Sequence, residues 1–256
     1  MQDLTISIIQ SDLSWENKKA NLKIFEDKLT KTEPSDLIVL PEMFTTGFSM
    51  QPEHLAEPMN GKSVLWMMEM AAKHKACILG SLIIIENGNY YNRLIAAKPS
   101  GEISFYDKRH LFSLAGEEKV YCPGSKQKSI TINGWRIGLF VCYDLRFPVW
   151  TRSIDSLDIM VFVANWPAKR QMPWSCLLKA RAIENQAYTV GVNRYGKDGN
   201  GFYHSGNSAI HSPLGETLIS IDDKEEIGTL ILSKENLLKT REQFPFYEDA
   251  DKFKLL

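Results

Sequence analysis

Three segments of this chain are apolar with no polar alternation: Leu37-Ile-Val-Leu40, Ile137-Gly-Leu-Phe-Val141 and Ile159-Met-Val-Phe-Val-Ala164. A strand with one face in water alternates, whereas a strand covered on both faces need not. The runs therefore predict sheets with an apolar layer on each side. Each run stops in polar or reactive residues, at Pro41-Glu42, at Cys142-Tyr143-Asp144 and at Asn165-Trp166. Phe147 to Ser156, with Pro148 in its first turn, predicts a helix, so Cys142 sits on a strand-to-helix turn whose first N–H groups can face a ligand.

The remaining elements follow from periodicity. Leu4 to Gln10 reads as a strand, and Ser14-Trp-Glu-Asn17 precedes a helix with Leu22, Phe25 and Leu29 on one face. Leu65, Met68 and Ala72 mark an amphipathic helix with a core face. Ile78–Glu86, Tyr90–Ala97 and Ile103–Lys108, joined at Asn87-Gly88 and Ser100-Gly101, predict an antiparallel meander that ends in Lys108. A second hairpin turns at Asn133-Gly134. Leu177, Leu178, Ala180, Ile183 and Ala187 give a helix running into the strand Tyr188–Asn193. Gly196 to Gly201 reads as a flexible loop without a phosphate-binding fingerprint. Strands near Asn207–His211, Glu216–Ile221 and Ile227–Ser233 close a second meander. One sheet of about twelve strands is unusually wide, so the expectation is an α/β fold of four layers, an α-β-β-α sandwich of two mixed β-sheets. The length suits one domain over residues 1–256, with an aromatic tail from about residue 242 docking on that domain or on a partner subunit.

The formal net charge is −1, and no basic stripe with interleaved aromatics argues for nucleic acid as a partner. The N-terminal residues lack the pattern of a signal peptide and no apolar stretch approaches membrane-spanning length, which predicts a soluble, cytoplasmic protein without a membrane partner. Cys77, Cys122, Cys142 and Cys176 show no CxxC spacing, and no histidine pair has ligand spacing, so neither disulfides nor a metal is expected.

Glu42, Lys108 and Cys142 each end an apolar strand, where a rigid sheet can present a protruding side chain to a pocket. Together a carboxylate can take the thiol proton, the thiolate can attack an electrophilic carbon, and an ammonium can hold the developing oxyanion. Singly, each has a plainer reading: Glu42 as a turn carboxylate, Lys108 as a surface lysine, Cys142 as a small core residue.

Leu40-Pro-Glu-Met-Phe44, Tyr106-Asp-Lys-Arg-His-Leu-Phe112 and Val141-Cys-Tyr-Asp-Leu-Arg-Phe-Pro148 resemble, in order and spacing, the three signature segments of the nitrilase superfamily of carbon-nitrogen hydrolases. Leu177 to Gln186 is similar to the helix after the family's nucleophile strand, and the resemblance covers essentially the whole chain. It implies Cys142 as nucleophile, Glu42 as general base and then acid, and Lys108 as oxyanion stabiliser. It also implies a second glutamate, Glu117, orienting Lys108 or the substrate, with Glu118 as the open alternative, and a homodimer or higher homo-oligomer, which the aromatic tail also suggests. The mechanism needs no cofactor. Phe147-Pro-Val-Trp150 and Ala164-Asn-Trp-Pro167 resemble the bacterial omega-amidase branch, implying hydrolysis of the terminal amide of 2-oxoglutaramate or 2-oxosuccinamate. Such a substrate carries a carboxylate, for which Arg146, Lys169 and Arg170 are the candidate cations; Arg146 has a structural ion pair as its alternative. Phe44, Tyr143 and Trp166 are candidate apolar walls or core residues, and His110 lines the pocket or the core. The same triad would serve N-carbamoyl compounds, a modified peptide or nitriles, and a catalytically silent binding or scaffold protein would keep the fold without turnover.

Overall fold

The computed structural model describes residues 2–152 and 157–251 together with Phe253 and Leu255. The first half of the chain supplies β1 (Leu4–Gln10), α1 (Lys18–Leu29), β2 (Leu37–Val39), the single turn α2 (Pro52–Leu55), α3 (Lys62–His74), and then β3 (Cys77–Glu86), β4 (Asn89–Ala97) and β5 (Ile103–Asp107). The second half supplies β6 (Ser129–Ile132), β7 (Trp135–Val141), the single turn α4 (Pro148–Thr151), β8 (Ile159–Ala164), α5 (Gln171–Asn185) and β9 (Tyr188–Asn193). It continues with β10 (Tyr195–Lys197), β11 (Tyr203–Ser205), β12 (Ala209–His211), β13 (Thr217–Ser220), β14 (Glu226–Leu232) and α6 (Lys234–Gln243). Two six-stranded sheets form, in the orders β14-β1-β2-β3-β4-β5 and β13-β12-β9-β8-β7-β6. Each has a parallel centre, β1–β3 in one and β7–β9 in the other, with antiparallel flanks.

The burial of the apolar runs explains their lack of alternation. Leu37 and Val39 of β2 enter the core between the sheets, while Ile38 faces a second core with Phe25 and Leu29 of α1 and Val64 and Met67 of α3. In β8 every residue from Ile159 to Ala164 is buried and belongs to the core that also holds Leu37 and Val39, while α5 packs on the neighbouring β9. The result is the expected sandwich of helix, sheet, sheet and helix. Among the described residues no helix is long and apolar enough to cross a membrane.

Several details differ from expectation. β14 does not extend a meander with β13; it crosses to the other sheet and pairs antiparallel with β1 from Leu4↔Leu232 to Gln10↔Glu226. The free edge of β1 would otherwise leave a buried row of backbone groups unpaired. Gln10 clamps the crossover, donating from Nε2 to Asp222 O at 2.6 Å and Lys224 O at 2.7 Å. Gly196 to Gly201 is not an open loop: Gly196 and Lys197 lie in β10, the rest turn the chain into β11, and a Cβ on Gly199 would lie 2.4 Å from the Trp15 ring. α3 buries Val64, Met67, Met70 and Ala71, whereas Leu65 is 54% exposed and Ala72 is exposed, so the core face is turned by one residue. The run Val64-Leu-Trp-Met-Met68 is apolar throughout, and periodicity alone cannot set its phase. Ile183 likewise faces outward from α5, which buries Trp174, Leu178, Arg181 and Ala182. The helix expected to run to Ser156 is the single turn α4, and residues 153–156 lie outside the described residues.

Candidate active site

The chemistry-bearing residues gather where β2, β5, β7 and β8 end. β7 runs extended to Val141, and Cys142 then adopts φ +45°, a left-handed conformation that turns the chain sharply into the 3₁₀ segment Cys142–Arg146. Asp144, fully buried, fixes this turn. Its Oδ2 accepts from Val141 N at 3.0 Å and Tyr106 Oη at 2.8 Å, and its Oδ1 accepts from His110 N at 3.0 Å and pairs with His110 Nδ1 at 2.8 Å. His110 thus braces the nucleophile turn, stacked on Phe147 with ring centroids 3.8 Å apart, and does not line the cavity that holds the thiol.

Glu42 follows β2 and is fully buried. Its Oε1 accepts from Lys108 Nζ at 2.9 Å and Asn92 Nδ2 at 2.8 Å, and its Oε2 accepts from Asn165 N at 2.7 Å. Asn165, first after β8, also donates from Nδ2 to Glu42 O at 2.6 Å, so it grips both ends of that residue. Lys108, first after β5, is held by its backbone: its N–H donates to Asn92 O at 3.0 Å and its carbonyl accepts from Gly124 N at 2.9 Å. Only glycine fits at 124, because a Cβ there would lie 2.1 Å from Asp107 O. Glu117, also fully buried, receives Lys108 Nζ at 2.9 and 3.0 Å and Phe112 N at 2.6 Å, while Glu118 is exposed.

These contacts set the charge states. Burial works against the Lys108 ammonium, but Glu117 and Glu42 outweigh it and hold its pKa above the ordinary lysine value. Burial raises Glu117, and the like charge of Glu42 adds to it against the pull of Lys108. Burial also pushes the Cys142 thiol well above its usual value, reinforced by the neighbouring Glu42. The resting thiol is protonated and lies beside the carboxylate that can accept its proton. Among the described residues no group of three or more His, Cys, Asp or Glu side chains is placed to hold a metal ion.

Above this cluster opens a cavity of about 540 Å³ lined by Glu42, Lys108, Cys142 and Asn165 at its base. Tyr143, Arg146, Trp166 and Arg170 also line it, with Trp15, Phe48, Phe112 and Phe202. Arg146 lies over the Trp166 ring at 4.8 Å and Arg170 over Phe112 at 5.1 Å. Among the described residues neither guanidinium has a carboxylate partner, so the ion pair considered for Arg146 is not found there. Two sequence candidates lie elsewhere. Phe44 is buried in the helix-side core against Phe25 and Trp66. Lys169 is exposed and outside the cavity lining. Sequence reading missed Ser81 and Asn92, polar residues inside strands that offer no motif, and gave no role to Asp144 or Asn165. The latter two do carry a signal, since each polar residue follows closely on an apolar run.

The carbon-nitrogen hydrolase family profile matches residues 5–236. The chain belongs to that family. It is 43% identical over 259 residues to the omega-amidase YafV of Escherichia coli K12, covering all of both chains. It is 32% identical over 254 residues to the 2-oxoglutaramate amidase of Bacillus subtilis, covering 97% of this chain and 98% of that one. Among solved structures, XC1258 of Xanthomonas campestris, a CN-hydrolase superfamily protein with an arsenic adduct in its active site, superposes with a TM-score of 0.98. It shares 39% identity, with full coverage of both chains. With the family assignment, these relatives support an amide-hydrolysing enzyme.

Proposed function

We propose that this carbon-nitrogen hydrolase is a cysteine-dependent amidase that cleaves the terminal carboxamide of small 2-oxo acid amides, 2-oxoglutaramate and 2-oxosuccinamate, to the acid and ammonia. One observation carries the reading: the Cys142 thiol lies beside a buried Glu42–Lys108–Glu117 cluster, under a cavity whose walls hold two arginines with no carboxylate partner among the described residues. Glu42 takes the Cys142 proton as sulfur bonds to the amide carbon. The carbonyl electron pair moves to oxygen, which the Lys108 ammonium and the backbone N–H of Tyr143 stabilise. Collapse breaks the C–N bond, and Glu42 returns its proton to the departing ammonia. Glu42 then deprotonates a water that attacks the thioester; the acid leaves and the sulfur recovers its proton. Glu117 holds Lys108 in place. Arg146 and Arg170 receive the substrate carboxylate, while Tyr143 and Trp166 bound the acyl chain.

The remaining expectations join this reading. The chain works as one domain, supported by hydrogen bonds from Gln186 Nε2 to Phe244 O at 2.6 Å and from Tyr247 N to Gln186 Oε1 at 3.1 Å that tie the tail to the end of α5. It acts in the cytoplasm as a homodimer. The test is ammonia release from 2-oxoglutaramate by the wild type and by folded Cys142→Ala, with an N-carbamoyl amine for comparison. Release that falls by roughly 10⁴-fold or more in the variant is expected. Preference for the carbamoyl compound would move the substrate class, and an active Cys142→Ala would remove the mechanism.

A further inference from the structure

The hydrogen bonds around Glu42 distinguish its two oxygens. Ser81 of β3 accepts from Met43 N at 2.8 Å and donates its hydroxyl proton to Asn92 Oδ1, also at 2.8 Å. With its oxygen occupied by that donor, the Asn92 amide has one orientation. Its NH₂ faces Glu42 Oε1 at 2.8 Å and Glu117 Oε1 at 3.2 Å. Ser81, Asn92, Glu42 and Glu117 are all fully buried. Glu42 Oε1 therefore accepts two donors, Asn92 Nδ2 and Lys108 Nζ, which fill the two lone pairs of a carboxylate oxygen. Oε2 accepts one, Asn165 N, and keeps a lone pair.

We propose that Asn92, oriented by Ser81, is a positioning residue that reserves Glu42 Oε1 as a permanent acceptor, so that Oε2 alone carries the proton between Cys142, ammonia and water. A proton on Oε1 would face two donors and force one of them away. A proton on Oε2 leaves every existing bond intact, and the same oxygen can take the thiol proton and release it to the leaving group. The inference rests on Glu42 being the general base. The other titratable or charged groups facing Glu42 are Lys108 from the end of β5, Glu117 and Tyr121 from the loop that follows, and Cys142 from the end of β7.

The experiment is the pH profile of kcat/KM for 2-oxoglutaramate in the wild type, Asn92→Leu, Ser81→Ala, Ser81→Thr and Glu42→Gln, each checked for folding by circular dichroism. Loss of a hydrogen bond to the ionised carboxylate should move the acid limb of Asn92→Leu up by about one pH unit, with at least about a tenfold loss of kcat/KM at neutral pH. Ser81→Ala, the milder change should Asn92→Leu not fold, should move the limb the same way by a smaller amount, and Ser81→Thr should restore it. A lower kcat/KM with the acid limb unmoved in both Asn92→Leu and Ser81→Ala would mean a merely structural role and would overturn the proposal. An active Glu42→Gln would instead remove the general-base reading beneath it.

Discussion

The base and the wall of the cavity are built by opposite means. At the base, Glu42, Lys108, Cys142 and Asn165 each follow directly or within three residues on a strand, and the Glu42, Glu117 and Lys108 charges pair with one another inside a buried network. Along the wall, Arg146, Arg170, Trp15 and Phe202 come from turns and a hairpin, and the two guanidinium groups rest on aromatic rings with no carboxylate partner among the described residues. The base is thus complete without substrate, whereas the wall is left with charge that a substrate carboxylate would satisfy. Damage at the base should cost both stability and kcat; damage to the wall should appear mainly in KM.

The largest expected break is Lys108→Met. It strands the Glu42 and Glu117 carboxylates in a buried site, which should lower the free energy of unfolding by about 3–5 kcal/mol. It also removes an oxyanion donor, worth roughly 10²–10³-fold in kcat. Urea unfolding and steady-state kinetics on one preparation test both. An inactive variant of unchanged stability would show that the base is not held by charge pairing.

Acid pH provides the second break, and it acts on stability through two buried histidines outside the charge-paired base. Burial and the nearby Arg194 push His204, in the cavity lining, down to about 4, and burial with Lys179 does the same to His211, on β12 beneath α5. An unfolded chain takes up these protons near the ordinary value of 6.5, so between 6.5 and 4 the unfolded state binds more protons. The stability these histidines contribute is fully present above about 6.5 and is lost as pH falls towards 4, at most about 3 kcal/mol for each. The urea midpoint should fall over that window, and replacing His204 and His211 with Gln should flatten the slope.

Arg146→Gln sharpens the comparison from the other side. Losing a charge-assisted contact to the substrate carboxylate should raise KM for 2-oxoglutaramate roughly ten- to hundredfold while leaving kcat within about threefold. Butanamide, which has no carboxylate, should show no such change. Equal losses on both amides would assign Arg146 to the turn that carries Cys142 rather than to recognition.

The same division explains what could be read from the sequence. Glu42, Lys108 and Cys142 were legible because an apolar run that stops on a reactive residue is a local signal, and the sheet converts sequence order into spatial proximity. Asn92 and Ser81 were not, since a polar residue within a strand looks the same whether it faces solvent or a buried carboxylate. Phe44 sits two residues from Glu42, yet its side chain joins the helix-side core, because sequence adjacency does not fix the face on which a turn places a ring. The hairpin at Gly196–Gly201 and the return of β14 to β1 depend on pairing between distant segments, and neither leaves a local mark.

Lys169 tests the smallest effect, and it separates contact from field. Lys169 and Arg170 share the 3₁₀ turn Ala168–Arg170, in which three residues complete a turn and successive side chains point about 120° apart. The turn therefore places Arg170 in the cavity lining and leaves Lys169 exposed. If recognition works by contact, Lys169→Ala should change kcat/KM for 2-oxoglutaramate by less than about twofold, the range of an ordinary surface substitution. If the substrate is instead drawn by the summed positive charge of this edge, Lys169→Ala should lower kcat/KM at low salt, and the loss should vanish as the screening length shrinks from about 30 Å at 0.01 M to about 8 Å at 0.15 M. A twofold limit that holds at both ionic strengths assigns recognition to the arginines inside the cavity.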